Sequence, residues 1–331
     1  MEGATGIDVS MLKGKKLLNM DSEEEGVMLA SCAGGCRADV KLPVERETVS
    51  GTKLTVSLSG LTGGHSGSEI DKGRGNANTL MSRLLRDASA PVAIASIEGG
   101  RKDNAIPREC TAQIIVAPDE AAAVKASIEQ AAAEIAEEFK ASDPDLKLTV
   151  SEETDCSESA ISAKDSARVI ALIEALPNGI IRMSREIDKL VETSLNLGVL
   201  KSDDAAVTLR YAVRSSVGVA KKSLKNQLVC IAGAFEAEVT FEGDYPAWEY
   251  KKDSKLREDM VRIFEEMYGK KPTVEAIHAG VECGLLSGKI EGLDCISMGP
   301  DMYDIHTTEE RLSISSAKRS YEYILRVIAC K

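Results

Sequence analysis

The sequence predicts an α/β protein in which one domain, formed by both ends of the chain, is interrupted by an inserted α/β domain. Three observations lead to this prediction. The chain has 331 residues, which is enough for two domains. From about Gly51 to Ser151, strand-like and helical segments follow one another in the order β-α-β-β-α-β. A looser α-β-β-α-β series comes next, and further strand-like and helical segments flank both series.

The first series is the more regular of the two. Apolar and polar residues alternate in TKLTVSLSG, as in a half-buried strand, whereas NANTLMSRLLRDA has helical spacing. The segments PVAIASIEG, ECTAQIIVA and LKLTVS are strand-like, and DEAAAVKASIEQAAAEIAEEFKA reads as an alanine-rich helix with acidic residues in its first turn. This order is that of a ferredoxin-like unit.

The second series predicts a related unit. KDSARVIALIEALPNG predicts a helix that ends just before Gly179, and the paired strands VETSLNLGVL and AVTLRYAVRSS flank the turn KSDD. The helix VAKKSLKNQLVCIAGAF and the strand AEVTFEG complete the series. No clear sequence similarity relates the two units, so a repeat would be structural only.

The flanking segments predict an interrupted domain. We expect residues 1–45 and 246–331 to form it and residues 46–245 to form the insertion. The strand-like segments KKLLNM and LDCISMG are followed by the acidic segments DSEEEG and GPDMYDIH. Because ligands of open α/β sheets bind at the carboxyl ends of strands, these two segments are candidates for a shared site.

The composition excludes several classes of partner. A hydrophobic content of 43% with 28% charged residues is typical of a folded globular protein, and a net charge of −12 disfavours nucleic acid and anionic membranes. The N-terminus is not a signal peptide and no apolar run approaches the length of a membrane span, so we expect a cytoplasmic protein. The eight cysteines are scattered, which predicts reduced and mostly buried thiols.

Candidate functional residues come from loops and strand ends. Among only three histidines, His65 lies between glycines and His306 lies beside acidic residues, where imidazole and carboxylate together suit a metal. His278 is expected to contribute loop structure only. Asp21 follows an apolar strand, although DSEEEG taken alone favours a solvated acidic turn that caps the next element.

Two further polar residues have both a functional and a structural interpretation. Arg214, at the end of a predicted strand, suits a substrate carboxylate but also suits an ion pair with a nearby acid. Asn104 is a candidate for substrate contact or for shaping the turn before Pro107. The glycines of GRGNAN lack the spacing of a dinucleotide-binding loop, so we exclude that function.

Seven motifs taken together resemble one family. LLNMDSEEEG, CAGG, GLTGGHSGSEIDKGRGNAN, NAIPRE, VETSLNLGV, IHAGVECGLL and GPDMYDIHTTEERLSISS occur in this order along the chain. The whole sequence is similar to the aminoacyl-histidine dipeptidases of the carnosinase and glutamate-carboxypeptidase clan of metallopeptidases. The resemblance implies a two-zinc catalytic domain interrupted by a lid domain, with manganese or cobalt as alternative metals, and a small dipeptide of the Xaa-His type as substrate.

The resemblance also implies roles for individual residues. Asp21 and His306 would each bind one zinc, and His65 of the lid would polarise the scissile carbonyl. Asn104 and Arg214 would bind the substrate. Gly280 and Glu282, in the loop HAGVECG, would line the side of the substrate carboxylate.

The family pattern is incomplete in this sequence. A His-x-Asp segment, a bridging aspartate and a Glu-Glu pair supply the remaining ligands and the general base of a two-metal hydrolase, and we find none of them here. We therefore expect an N-terminally truncated enzyme that is inactive alone, whether the truncation belongs to the protein or to the given sequence. The alternative is a non-catalytic binding or assembly protein based on the lid. Two assemblies stay open: a single chain whose doubled lid replaces a partner's lid, or a homodimer that pairs through the lid.

Overall fold

The computed structural model describes residues 2–305 and 307–330. Within these ranges the chain forms eight α-helices, seventeen strands and a 3-10 turn at Ile70–Lys72. The helices are α1 (Glu2–Gly6), α2 (Ala77–Arg86), α3 (Ala121–Phe139), α4 (Ala163–Ala175), α5 (Gly218–Ala234), α6 (Lys255–Tyr268), α7 (Glu282–Lys289) and α8 (Ile314–Ala329). The strands are β1 (Lys16–Asn19), β2 (Val27–Cys32), β3 (Gly34–Pro43), β4 (Arg46–Ser59), β5 (Gly64–His65), β6 (Ala93–Gly99), β7 (Ala105–Ile106), β8 (Cys110–Val116), β9 (Lys147–Ile161), β10 (Gly179–Met183), β11 (Val191–Ser202), β12 (Ala206–Ser215), β13 (Glu238–Tyr245), β14 (Thr273–Ile277), β15 (Asp294–Ser297), β16 (Met302–Tyr303) and β17 (Arg311–Leu312).

Nine strands form one large antiparallel sheet that contains two ferredoxin-like units. The order is β13-β3-β12-β11-β6-β8-β4-β9, and β10 pairs with β11. The first unit consists of β4, α2, β6, β8, α3 and β9, and the second consists of β3, α4, β11, β12, α5 and β13. In both units the strand order within the sheet is 4-1-3-2. The pairs Leu200↔Gly99 and Lys201↔Glu98 join the two units, so the predicted fold class is confirmed.

The strand pairing differs from the predicted boundary at residue 45. β3 lies between β12 and β13 in the large sheet, with Val40 opposite Leu209 on one side and Val239 on the other. It supplies the first strand that the predicted α-β-β-α-β series lacked. The change from the small to the large sheet therefore falls at Ala33, between β2 and β3. We propose a division of the chain that assigns β3 to the inserted part.

Most predicted elements occur where the periodicity indicated, with a few differences. α4 ends at Ala175, and Gly179 (φ 87°) opens the unpredicted strand β10 instead of following the helix directly. β2, β3 and β14 were not predicted either. In β3 the alternation of Cys36, Ala38, Val40 and Leu42 is a strand signal, and these four side chains are buried.

The four long helices of the large sheet pack on one of its faces. Apolar residues of α2, α3, α4 and α5 join those of the strands in a single aliphatic core. Successive side chains of a strand point to opposite faces. Leu195 and Leu197 of β11 belong to this core, so Ser194 and Asn196 project from the face without helices.

Four strands form a small sheet in the order β1-β15-β2-β14. Helices α6 and α8 cover it through Met260, Phe264 and Tyr323, which pack against Met28 and Ile296. β1 and β15 run parallel, so the segments that follow them leave the sheet at the same edge. In the part of the chain that the structure describes, no helix combines the length and apolar character needed to cross a membrane.

Candidate functional site

The two acidic segments after β1 and β15 lie side by side, as the sequence predicted. The hydroxyls of Ser22 and Ser297 are 2.8 Å apart, and the amide of Glu25 donates to Oδ1 of Asp301 at 2.8 Å. The amide of Met302 donates to the carbonyl of Glu23 at 2.9 Å. These bonds give DSEEEG and residues 297–302 a fixed mutual position at the edge of the small sheet.

Within DSEEEG, the acids differ in their partners. Glu25 makes a bidentate ion pair with Arg319, at 2.7 and 2.5 Å, and these hydrogen bonds lower its pKa. Asp21 is exposed, and its carboxylate makes no hydrogen bond to another residue of the described ranges. Glu25 is therefore structural, whereas Asp21, like the exposed Glu23 and Glu24, keeps a carboxylate that is available to a ligand. His306 lies outside the described residues.

The described residues do not complete a metal centre. Among residues 2–305 and 307–330, no group of three or more histidine, cysteine, aspartate or glutamate side chains has an arrangement that could hold a metal ion. Asp21 offers one carboxylate, whereas a zinc site needs three or four protein ligands. The residues present therefore do not by themselves fit a two-zinc centre.

His65 lies on a short ribbon that joins it to the segment of Asn104. β5 and β7 pair antiparallel, with Gly64 opposite Ile106 and His65 opposite Ala105. The amide of the next residue, Ser66, donates to the carbonyl of Asn104 at 2.9 Å. The ribbon therefore brings two of the predicted site residues together.

The imidazole of His65 has a defined tautomer. Its Nδ1 accepts from the backbone amides of Gly67 and Ser68, both at 3.2 Å. An acceptor at Nδ1 leaves the proton of the neutral ring on Nε2. Burial, together with the charge of Arg214, lowers the pKa of His65, although Glu69 opposes the shift. At neutral pH the ring is a neutral Nε2–H donor, which suits an oxygen that gains negative charge.

The loop of His65 rests on the small-sheet part of the chain. A Cβ atom at Gly67 would lie 2.6 Å from the carbonyl oxygen of His278, too close for any side chain. His278 directly follows β14, and its buried Nε2 lies 2.7 Å from the hydroxyl of Ser194 on β11. The two sheets therefore meet at His278, through its backbone and its side chain.

Arg214 is buried without an acidic partner. Its Nη1 donates to the hydroxyl of Tyr245 at 3.4 Å, and its buried Nε has no hydrogen-bond partner within the described ranges. No carboxylate of those ranges lies within ion-pair distance of it. Arg214, Tyr245 and Asn104 line one cavity of about 290 Å³. Arg37, Asp103 and Glu242 also line this cavity, and the two carboxylates pair with Arg37. A buried guanidinium is costly unless it is paired, so the part of the cavity beside Arg214 suits an anionic group.

Gly280 and Glu282 lie close to His278 along the chain. Glu282 is the first residue of α7, and Gly280 lies in the loop between β14 and that helix. Neither lines the cavity of Arg214. Their roles toward a substrate stay predictions.

A larger cavity in the described part of the chain lies elsewhere. It measures about 810 Å³ and lies between the end of α2 and α4, lined mainly by alanines with Ile170, Leu85 and Val92. Its two charged residues, Arg86 and Glu174, pair with each other at 2.5 Å. The size of a cavity therefore does not identify the site in this protein. Within the described ranges, no residue lining the 810 Å³ cavity has a buried unpaired polar atom comparable to Nε of Arg214.

The polar face of β11 is not among the sites that the sequence predicts. Nδ2 of Asn196 donates to the carbonyls of Asp103 and Ala105, at 3.0 and 2.8 Å, and thereby holds both neighbours of Asn104. Its Oδ1 accepts from Nδ2 of Asn76, the residue that caps α2. The signal was present in VETSLNLGV, where Glu192, Ser194 and Asn196 alternate with buried apolar residues.

Known proteins are similar to this chain in sequence and in fold. Residues 56–143 match the M20 family model described as peptidase dimerisation domain. The cytosol non-specific dipeptidase of Escherichia coli K12 is 34% identical over 320 residues, which cover 96% of this chain and 66% of that protein. The crystal structure of aminoacylhistidine dipeptidase from Vibrio alginolyticus superposes with a TM-score of 0.92, over 99% of this chain and 68% of that one. The two sequences are 32% identical.

The chain therefore spans about two thirds of the length of these two relatives. The identity and the superposition extend over both sheets, and the family model covers most of the first ferredoxin-like unit. The chain belongs to the M20 peptidase family, in the group of metallopeptidases that includes these dipeptidases.

Proposed function

We propose that this chain forms the lid and the substrate-carboxylate site of a zinc-dependent dipeptidase that acts on Xaa-His dipeptides. The observation that supports this proposal best is the buried guanidinium of Arg214, which has no acidic partner in the described ranges and faces a cavity shared with Asn104. The two relatives are named as dipeptidases, one of them for aminoacyl-histidine substrates. Zinc is the proposed metal, with manganese or cobalt as alternatives.

The chain's own residues would bind and orient the dipeptide. Arg214 would donate two hydrogen bonds to the terminal carboxylate, a geometry that the planar guanidinium favours. Asn104, at the rim of the same cavity, would bind a polar group of the backbone. His65 would donate its Nε2 proton in a hydrogen bond to the scissile carbonyl oxygen, where negative charge develops. Gly280 and Glu282 would border the carboxylate.

We propose that hydrolysis needs ligands beyond those in the described residues. The three histidines occur as HSG, HAG and HTT, so the sequence contains no His-x-Asp segment. Asp21 and His306 are the proposed metal ligands from this chain, one to each metal. The described residues do not supply the other ligands, so the proposed roles of this chain are limited to binding and orienting the dipeptide. We propose that the chain alone does not hydrolyse dipeptides.

The lack of a three-ligand metal group in the described ranges favours a second candidate function. In this alternative the protein binds small carboxylates or peptides with the lid and does not hydrolyse them. The two functions differ in their metal content. Zinc binding and turnover that appear when the missing ligands are supplied by the part of a full-length relative that this chain does not cover, and that Asp21→Ala abolishes, support the peptidase. Carboxylate binding that stays without zinc and turnover under the same conditions supports the binding protein.

The experiment is dipeptide binding and hydrolysis on the full chain. We expect β-alanyl-histidine to bind and Arg214→Met to weaken binding about ten- to a hundredfold, because a hydrogen bond to a charged group contributes about 1.5–3 kcal/mol. The matched control is Arg210→Met, on the same strand, which removes only the ion pair with Asp39. Equal affinities of the wild type and Arg214→Met would exclude the proposed carboxylate site. Turnover by the unmodified chain would exclude the proposed inactivity.

We propose a cytoplasmic homodimer as the assembly. β11 of the second unit already occupies the edge of β6 in the first unit, so a partner would have to bind elsewhere on the lid. In the described ranges, the strands with a single partner in the large sheet are β13, β9 and β10. Light scattering during size-exclusion chromatography tests this proposal, and a mass of one chain, 35.4 kDa, would contradict it.

A further inference from the structure

We propose that His278 is a positioning residue, which fixes the places of Arg214 and His65 by joining the small sheet to the polar face of β11. The role goes beyond the proposed binding site, because His278 need not touch a ligand. The inference rests on the proposed function in one respect, namely that Arg214 and His65 bind a dipeptide.

The side chain of His278 bridges the two sheets. Its backbone follows β14 of the small sheet, and its Nε2 lies 2.7 Å from the hydroxyl of Ser194 in the large sheet. The residues are 5% and 1% exposed, so water does not compete for this hydrogen bond. A bond shielded in this way is strong, and loss of one partner leaves a buried polar atom unpaired.

Ser194 transmits this position to Arg214. The two residues are direct partners in the register of β11 and β12, so their side chains are cross-strand neighbours on the face without helices. Arg214 itself has one long hydrogen bond, to Tyr245, and an unpaired Nε. Its place therefore depends on the packing of its neighbours more than on bonds of its own.

The backbone of His278 supports the loop of His65. Its carbonyl oxygen occupies the space that a side chain at Gly67 would need, and Gly67 donates its amide to Nδ1 of His65. One residue thus contacts the loop of the proposed carbonyl-polarising group and the strand opposite the proposed carboxylate-binding group. A histidine that only filled space would need neither contact.

The charge state of His278 agrees with this role. Burial, assisted by the charges of Arg214 and His65, lowers the pKa of His278 to about 3, although the carbonyl of Val191 opposes the shift. The ring is therefore neutral beside the guanidinium at neutral pH. Its Nδ1 is buried and makes no hydrogen bond of ordinary geometry within the described ranges, so the bond to Ser194 is the side-chain hydrogen bond that holds the ring.

The test compares four single variants by hydrogen exchange of the full chain without ligand. His278→Leu and Ser194→Ala remove the bridge, and His278→Gln retains an amide that reaches the position of Nε2. Ile296→Val, which shortens a fully buried side chain of the small sheet, controls for general destabilisation. We expect the first two variants to exchange at least tenfold faster in segments 62–70 and 206–216, and we expect His278→Gln to restore much of the protection.

Unchanged exchange in both segments, or equal effects of Ile296→Val and His278→Leu, would overturn the proposal. Affinity for β-alanyl-histidine is measured on the same samples. If the wild type does not bind the dipeptide, the proposed function fails, whereas the exchange result still decides the role of His278. If it binds, we expect a loss in Ser194→Ala that adds little to the loss in His278→Leu when the two are combined.

Discussion

The amide of His65 donates a hydrogen bond of 2.8 Å to Oε2 of Glu69, four residues along the chain. The amide of Glu69 returns a bond of 3.1 Å to the carbonyl of His65. Oε1 of the same carboxylate accepts from Nη1 of Arg74, which also donates to the carbonyl of Gly63. One glutamate therefore closes the glycine-rich loop and fixes the backbone of His65, whose ring is held by the amides of Gly67 and Ser68.

This arrangement predicts an acid-sensitive loop. The amide of His65 and the side chain of Arg74 lower the pKa of Glu69. A carboxylate with a lowered folded pKa stabilises the fold above its unfolded pKa, near 4.5, and the stabilisation is lost as pH falls through the folded value. We expect hydrogen exchange of residues 62–70, corrected for intrinsic rates, to accelerate below about pH 4.5. Glu69→Gln should exchange faster at neutral pH and lose most of this dependence; a pH profile identical to that of the wild type would contradict the role.

The contact between Gly67 and His278 predicts that Gly67→Ala displaces the loop. The added methyl group would lie 2.6 Å from a backbone carbonyl, which cannot move as a flexible side chain can. We expect a loss of about 1–3 kcal/mol in the free energy of unfolding. The control is Gly233→Ala in α5, where a Cβ meets nothing within 4 Å and should be neutral or stabilising. Thermal or urea unfolding measures both variants, and equal midpoints would exclude the clash.

The charge of Arg214 predicts a shift in the titration of His65. Burial and Arg214 both lower the pKa of His65 below its ordinary value near 6.5. We expect Arg214→Met to raise the pKa of His65 but to leave it below that value, because the burial remains. NMR titration can follow this directly, since the chain has three histidines and His278 should stay neutral until about pH 3. The His65→Gln variant assigns the resonance of His65. An unchanged pKa of His65 in Arg214→Met would show that the charge of Arg214 does not act on the ring.

The lowered pKa of His65 also has a consequence for stability. A histidine whose folded pKa lies below its unfolded value loses stability as pH falls below the unfolded value, because protonation favours the unfolded chain. We therefore expect the wild type to lose stability below about pH 6.5 to a greater extent than His65→Gln. Urea midpoints at pH 7.5 and pH 5.5 test this, and parallel losses in the two proteins would refute it.

The amide of Asn196 predicts a structural effect on the segment of Asn104. Nδ2 donates to the carbonyls of Asp103 and Ala105, so Asn196→Leu leaves two partly buried acceptors and the buried Nδ2 of Asn76 with fewer partners. We expect a loss of about 1–3 kcal/mol, the cost of an unsatisfied buried polar group, because water can reach the two carbonyls in part. Faster exchange in segment 101–107 should accompany it. Asn104→Ala, at an exposed side chain, should leave stability within about 0.5 kcal/mol.

The sequence by itself determined the local elements and much of their arrangement. The period-2 and period-3.6 patterns located both ferredoxin-like series, and the apolar strands before DSEEEG and GPDMYDIH placed those acids at one edge of a sheet. These predictions succeeded because they depend on patterns within a few turns or one strand. The motif resemblance agrees with the relatives found for the chain.

The tertiary structure decided which strand completes the second unit and which side chains face the site. β3 joins strands more than 150 residues away in the sequence, and no local pattern specifies that partner. The same holds for the bridge between His278 and Ser194, whose histidine reads from sequence as an ordinary loop residue. Strand register and burial, both properties of the assembled sheets, make Arg214 unpaired and His278 neutral. Sequence periodicity fixes which way a side chain points, but only packing decides what it meets.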